Sequence, residues 1–172
     1  MQTIENGIIF YRLSAEEVIT YLNSINFDYN KHVKVIDNIL DPEYMSIVFI
    51  CNDVPNGKNL LRCFIDEGAN VNITSEDKYK SFFSDILHPY NVELLKISLP
   101  YFNLKKNSNL MWNVHHWLKY EDLEDDFKEI LEELISKFNQ KTWKRNLRRF
   151  ITEKHYTATT ASDFFDSYPM LY

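Results

Sequence analysis

Apolar residues recur at helical spacing in four stretches of the chain. The longest places Leu123, Phe127, Ile130, Leu131, Leu134 and Phe138 at i, i+4, i+7, i+8, i+11 and i+15, which predicts one amphipathic helix over residues 123–138. Three shorter stretches carry Val18, Ile19, Tyr21 and Leu22; then Leu60, Leu61, Cys63, Phe64 and Ile65; then Val92, Leu94, Leu95, Ile97 and Leu99. A break follows each of these three. The middle one stops at Gly68, where a residue without Cβ accepts the left-handed backbone that ends a helix. The first stops at Asn26, and asparagine tolerates that conformation next best.

The three stops share a grammar. Asn26-Phe-Asp-Tyr-Asn30, Gly68-Ala-Asn-Val-Asn72 and Tyr101-Phe-Asn-Leu-Lys105 align as helix stop, small or aromatic residue, Asp or Asn, apolar residue, polar residue. Val71 to Leu104 is a step of 33 positions and Leu61 to Leu95 a step of 34. A period in the low thirties marks stacked helical hairpins. Tyr29 to Val71 is a step of 42, so the second unit carries an insertion, expected around residues 34–42.

The stretch LLRCFIDEGANVN, residues 60–72, resembles the ankyrin-repeat family, whose units end in a helix running into LL…GA-x-V-N. Residues 78–105 fit a further unit, with KYKSFFSDIL as inner helix, a turn at His88-Pro89 and an outer helix after it. The family's Thr-Pro-Leu-His motif is absent, and Lys80-Ser-Phe-Phe83 stands in its place, a departure that bears on how regular the inner helices are. The resemblance implies an all-α fold: a short solenoid of stacked helical hairpins. Residues 109–118 and 123–138 supply one more hairpin. A terminal capping helix follows in KTWKRNLRRFITEKH, with Trp143, Leu147, Phe150 and Ile151 turned inward. The expected organisation is a single repeat domain over residues 1–156 and an aromatic tail over 157–172, either packed back or used as a recognition segment.

Composition narrows the function. With 172 residues, 45% of them hydrophobic and 26 aromatic, the chain can build one substantial core. Its net charge of −6 gives phosphate backbones no general attraction, so nucleic acid is not an expected direct ligand. Two cysteines, Cys51 and Cys63, are too few for a disulfide framework and are expected as reduced core thiols, which fits a cytoplasmic protein. The N-terminal residues lack the basic segment and long apolar run of a secretory leader. No apolar stretch approaches the ~20 residues that span a bilayer; the best, residues 47–51, is bounded by Asn52 and Asp53.

Candidate chemistry is sparse. His115 and His116 are adjacent, so on a helix they point about 100° apart and cannot share a metal as an i, i+4 pair can. His32, His88 and His155 have no partner at ligand spacing, the glycines at 7, 57 and 68 form no phosphate loop, and no G-x-S-x-G elbow occurs. The chain is therefore read as non-catalytic, with no metal or cofactor. An acidic run, including Asp122, Glu124, Asp125 and Asp126, precedes a basic one at Lys141, Lys144, Arg145, Arg148 and Arg149. These runs have two readings. One is helix-dipole and solvation logic; the other is a focused field that draws in a cationic partner.

Small size, acidity and the lack of a catalytic motif make the chain similar, as a class, to the immunity proteins of bacterial toxin systems. That resemblance implies a basic, nuclease-type toxin as partner, the chain being a monomer or part of a 1:1 heterocomplex. Glu76, Asp77, Tyr79, Trp112, His116, Asp122, Glu124, Asp125 and Asp126 would form the contact surface, acids mimicking phosphate and aromatics anchoring. The alternative from another class is an ankyrin-type adaptor or host-directed effector that recruits a partner protein. An enzyme, recognisable by converging carboxylates in a pocket, is the third.

Overall fold

A computed structural model describes residues 2–4, 9–35, 44–74, 81–103, 106–107, 110–118 and 122–137. The chain divides into two compact units, Met1–Asn103 and Leu104–Tyr172. Helices carry most of the described residues, in keeping with an all-α expectation.

In the first unit three helices are regular and strongly patterned. Helix α2, Ala15–Ser24, opens on a capping box: Glu17 N–H donates to Ser14 Oγ at 3.2 Å and Ser14 N–H donates to Glu17 Oε2 at 2.8 Å. The same contact holds the Glu17 carboxyl below its usual range. Helix α3, Gly57–Asp66, buries Leu60, Leu61 and Phe64, and helix α5, Val92–Ser98, buries Leu94 and Leu95. These three pack side by side, α2 on α3 and α3 on α5.

Each has a shorter partner before it. Helix α1, Ile9–Arg12, packs on α2; a 3₁₀ helix, Ile47–Asn52, packs on α3; and α4, Phe82–Ile86, packs on α5. The 3₁₀ helix and α4 also touch one another, so inner elements adjoin as outer ones do. The partners span only four, six and five residues, against ten, ten and seven in the outer row. At the start of α4, Ser81 and Ser84 cap the helix reciprocally, Ser84 N–H to Ser81 Oγ at 3.1 Å and Ser81 N–H to Ser84 Oγ at 2.9 Å. Phe49, Phe82, Phe83 and Phe102 then run edge to face, with centroids 5.7, 6.3 and 5.0 Å apart.

The helix stops repeat down to single atoms. Asn26 has φ 51° and Gly68 φ 86°, both left-handed, at the aligned first position of the five-residue motif. Gly68 has nothing within 4 Å of where a Cβ would stand, so the backbone angle alone requires glycine there. At the fifth position, Asn30 Nδ2 donates to the Gly68 carbonyl at 3.0 Å and Asn30 Oδ1 accepts from Asn70 N–H at 2.9 Å. Asn72 does the same one unit on, to the Tyr101 carbonyl at 2.6 Å and from Asn103 N–H at 2.7 Å. Each amide thus clamps the first and third positions of the next loop. The third position supports the fifth from within, Asp28 Oδ1 accepting from Asn30 N–H and Asn70 Oδ1 from Asn72 N–H.

A small sheet adds to the helices and was not anticipated. Strand β1, Gln2–Ile4, runs parallel to β2, His32–Val35, which pairs antiparallel with β3, Tyr44–Ser46. The last two strands flank the expected insertion, so its ends are paired backbone. Their run His-Val-Lys-Val alternates polar and β-branched residues, as a strand does. In the next loop the single bridge Thr74 to Ser81 occupies the corresponding place, and His32 Nε2 lies 3.3 Å from the Thr74 carbonyl. The two apolar runs most able to form a larger sheet, around residues 47–52 and 92–98, are helical instead.

The second unit contains α6, Leu110–Leu118, packed on α7, Asp125–Lys137. The predicted stripe faces inward: Phe127, Ile130, Leu131 and Leu134 are buried, and the Trp117 ring meets Phe127 edge to face at 5.5 Å. Phe138, the segment expected to form a basic capping helix and the residues expected as an aromatic tail lie outside the described residues.

Candidate protein-binding surface

The residues singled out from sequence fall in different places. Glu76, Asp77 and Tyr79 lie outside the described residues. Trp112 and His116 lie on α6; His116 is exposed and its ring stands edge to face on Trp117 at 5.8 Å. Asp122, Glu124, Asp125 and Asp126 are all exposed, and the last two form the first turn of α7. His116 belongs to the last turn of α6 and the four acids to the start of α7 and the residues just before it, and α6 and α7 pack on one another.

Physical chemistry gives that end two uses. Carboxylates in a first helical turn face the partial positive charge of unpaired backbone N–H groups, a local stabilisation. Glu124 serves the helix directly, its carbonyl accepting from the N–H groups of Phe127 and Lys128 at 3.1 and 3.0 Å. All four residues are exposed, so the negative field of this stretch reaches solvent.

A second surface escaped the sequence reading. Between α3 and α5 an open groove of about 550 Å³ is lined by Arg62, Ile65, Asp66, Glu93, Lys96 and Ile97, with Pro100 and Tyr101 beside them. Helical periodicity marked Ile65 and Ile97 as apolar stripe residues, yet both are only half-buried. Two cations and two anions make this face neutral, unlike the end of α7.

Burial pushes the Cys51 thiol well above its ordinary range and raises that of Cys63 as well, and neither cysteine is in a disulfide. Among the described residues no group of three or more His, Cys, Asp or Glu side chains could hold a metal ion, and no helix is long and apolar enough to cross a membrane. No family model matches the chain, and no curated protein and no solved structure matches it.

Proposed function

We propose that this chain is a short ankyrin-like stack acting as a protein-binding module: an immunity protein that neutralises a basic toxin by covering it. The observation that carries the reading is the asparagine clamp, made once from Asn30 and again from Asn72 on equivalent atoms of the following loop. A contact repeated at this level supports a stack of units that each bury a face against a neighbour, and such stacks act through extended surfaces. The net charge of −6 and the exposed acids at the start of α7 favour a cationic partner. Two free thiols fit action in the reducing cytoplasm.

Co-expression with the toxin encoded beside its gene tests this. Rescue of growth and a 1:1 complex are expected, and the double reversal Asp125→Lys with Asp126→Lys is expected to slow association and weaken the salt dependence. A complex indifferent to that reversal removes the α7 surface, and absence of any inhibited toxin removes the immunity reading. The neutral α3–α5 groove favours a second reading, an adaptor that recruits a partner without blocking an active site. Binding unaffected by salt and lost in Ile97→Glu selects it.

A further inference from the structure

Asn56 is followed by Gly57, the pairing in which an asparagine side chain is most open to attack by its own backbone, because glycine leaves the next nitrogen unshielded and free to turn. The fold holds this pair closed. Asn56 has ψ 21°, which puts the Gly57 nitrogen on the far side of the Cα–C bond from the Asn56 side chain. Gly57 N–H donates to the Val54 carbonyl at 3.0 Å, and Asn59 Nδ2 donates to Asn56 Oδ1 at 2.7 Å, so nucleophile and target are each tied elsewhere. Behind them there is no slack: Gly57 is buried, and a single added Cβ would overlap the Cys51 carbonyl oxygen.

We propose that Asn56–Gly57 is a deamidation site gated by the fold, closed while the start of α3 is formed and reactive once it opens, and that its isoaspartate product bars the chain from refolding. In the opened chain the Gly57 nitrogen gives its proton to water and attacks Asn56 Cγ; the N–Cγ bond forms, the Cγ–Nδ2 bond breaks, and ammonia leaves with a proton taken from water. Water then opens the cyclic imide. Attack at Cγ yields aspartate, whose carboxylate still accepts from Asn59 and stands at a helix start, where negative charge is favoured. Attack at the main-chain carbonyl yields isoaspartate, in which the backbone runs through the side chain and is one carbon longer. That carbonyl leaves the chain, although the N–H groups of Asn59 and Leu60 both donate to it at 3.1 Å. The extra carbon falls just before Gly57, where the helix start meets the Cys51 backbone. An opened chain is therefore retired with time rather than recycled, whatever the chain binds.

Peptide mass spectrometry of the full chain, incubated in mildly alkaline buffer with and without urea, tests the gate, and Asn6–Gly7 supplies a second pair of the same sequence as internal standard. In urea both asparagines are expected to convert at similar rates, each to a mixture of aspartate and isoaspartate. Without urea, conversion at Asn56 is expected to be at least about a hundredfold slower than in urea. A smaller ratio, or no conversion at Asn56 in urea while Asn6 converts, overturns the site. The refolding bar is read after dilution from urea, by separating folded from unfolded chains on size exclusion and analysing position 56 in each. Aspartate is expected in the folded peak and isoaspartate only outside it. Isoaspartate at position 56 in the folded peak, with the original thermal midpoint, overturns the bar.

Discussion

The two ends of α3 each begin or end on a glycine, for opposite reasons. At Gly57 a Cβ would overlap the carbonyl oxygen of Cys51, so the residue is dictated by how closely the helix start approaches the end of the preceding 3₁₀ helix. At Gly68 there is open space, and only the left-handed backbone excludes a side chain. One end of the helix pair is therefore set by tertiary packing and the other by local chain geometry. The difference teaches where mutations hurt: steric demand at the inner-to-outer turn meets immovable backbone, whereas the loop end has slack.

Breaking the tight end should have the largest effect. Gly57→Ala is expected to cost about 3 kcal/mol or more, because the Cys51 backbone cannot yield without moving the 3₁₀ helix; urea unfolding measures it. Next come the clamps at the loop end. Asn72→Ala deprives the Tyr101 carbonyl and the Asn103 N–H of their partner and should cost about 1–2 kcal/mol, with Asn30→Ala costing about the same. Gly68→Ala should cost only about 1 kcal/mol, and Gly68→Asn less, since asparagine already serves at the matching Asn26. Equal losses at Gly57 and Gly68 would erase the contrast.

A smaller effect separates the packed side of the loop from its wet side. Tyr29 is buried against Phe27 and Phe64 at 5.2 and 5.9 Å, with its hydroxyl donating to Asn23 Oδ1 at 2.9 Å. Burial foremost, then the charge of Glu67, pushes its phenol from 10 up to about 12. A raised folded value means the neutral phenol is favoured by folding, so this stability is complete below pH 10 and is lost as pH rises towards 12. Tyr29→Phe should flatten the fall in thermal midpoint over that window.

How much of this was legible follows the same division. The outer helices announced themselves, since Val18 and Leu22, Leu60, Leu61 and Phe64, and Leu94 and Leu95 sit at helical spacing and all are buried. Asn26 and Gly68 marked their ends because a left-handed residue has few choices of side chain. The stripe through Phe127, Ile130, Leu131 and Leu134 gave α7 nearly to its last turn. Of the inner elements, KYKSFFSDIL was read as a helix and holds α4, whereas Ile9–Arg12 and Ile47–Asn52 were hidden, since four to six residues show little more than one period of any pattern. The sheet was hidden for a related reason: Gln2–Ile4 and Tyr44–Ser46 are three residues each, and their pairing depends on contacts far along the chain.

For the site, chemistry was easier to read than place. The acids before α7 stood out as a run, and all four named members are exposed. The groove between α3 and α5 gave no signal, because it depends on which turns of two helices face one another. Asn30 and Asn72 appeared in the motif only as polar residues in its fifth position. Their role needs the next loop in view, since the atoms they hold belong to residues 29 to 40 positions away.

Amide hydrogen exchange at Asn70 and Asn103 tests the clamped stack most directly, because each N–H has an asparagine side chain from the preceding loop as its acceptor. Both are predicted to exchange slowly in the original chain, Asn30→Ala to release Asn70 alone, and Asn72→Ala to release Asn103 alone. Fast exchange at both in the original chain, or no change in either variant, would contradict the account.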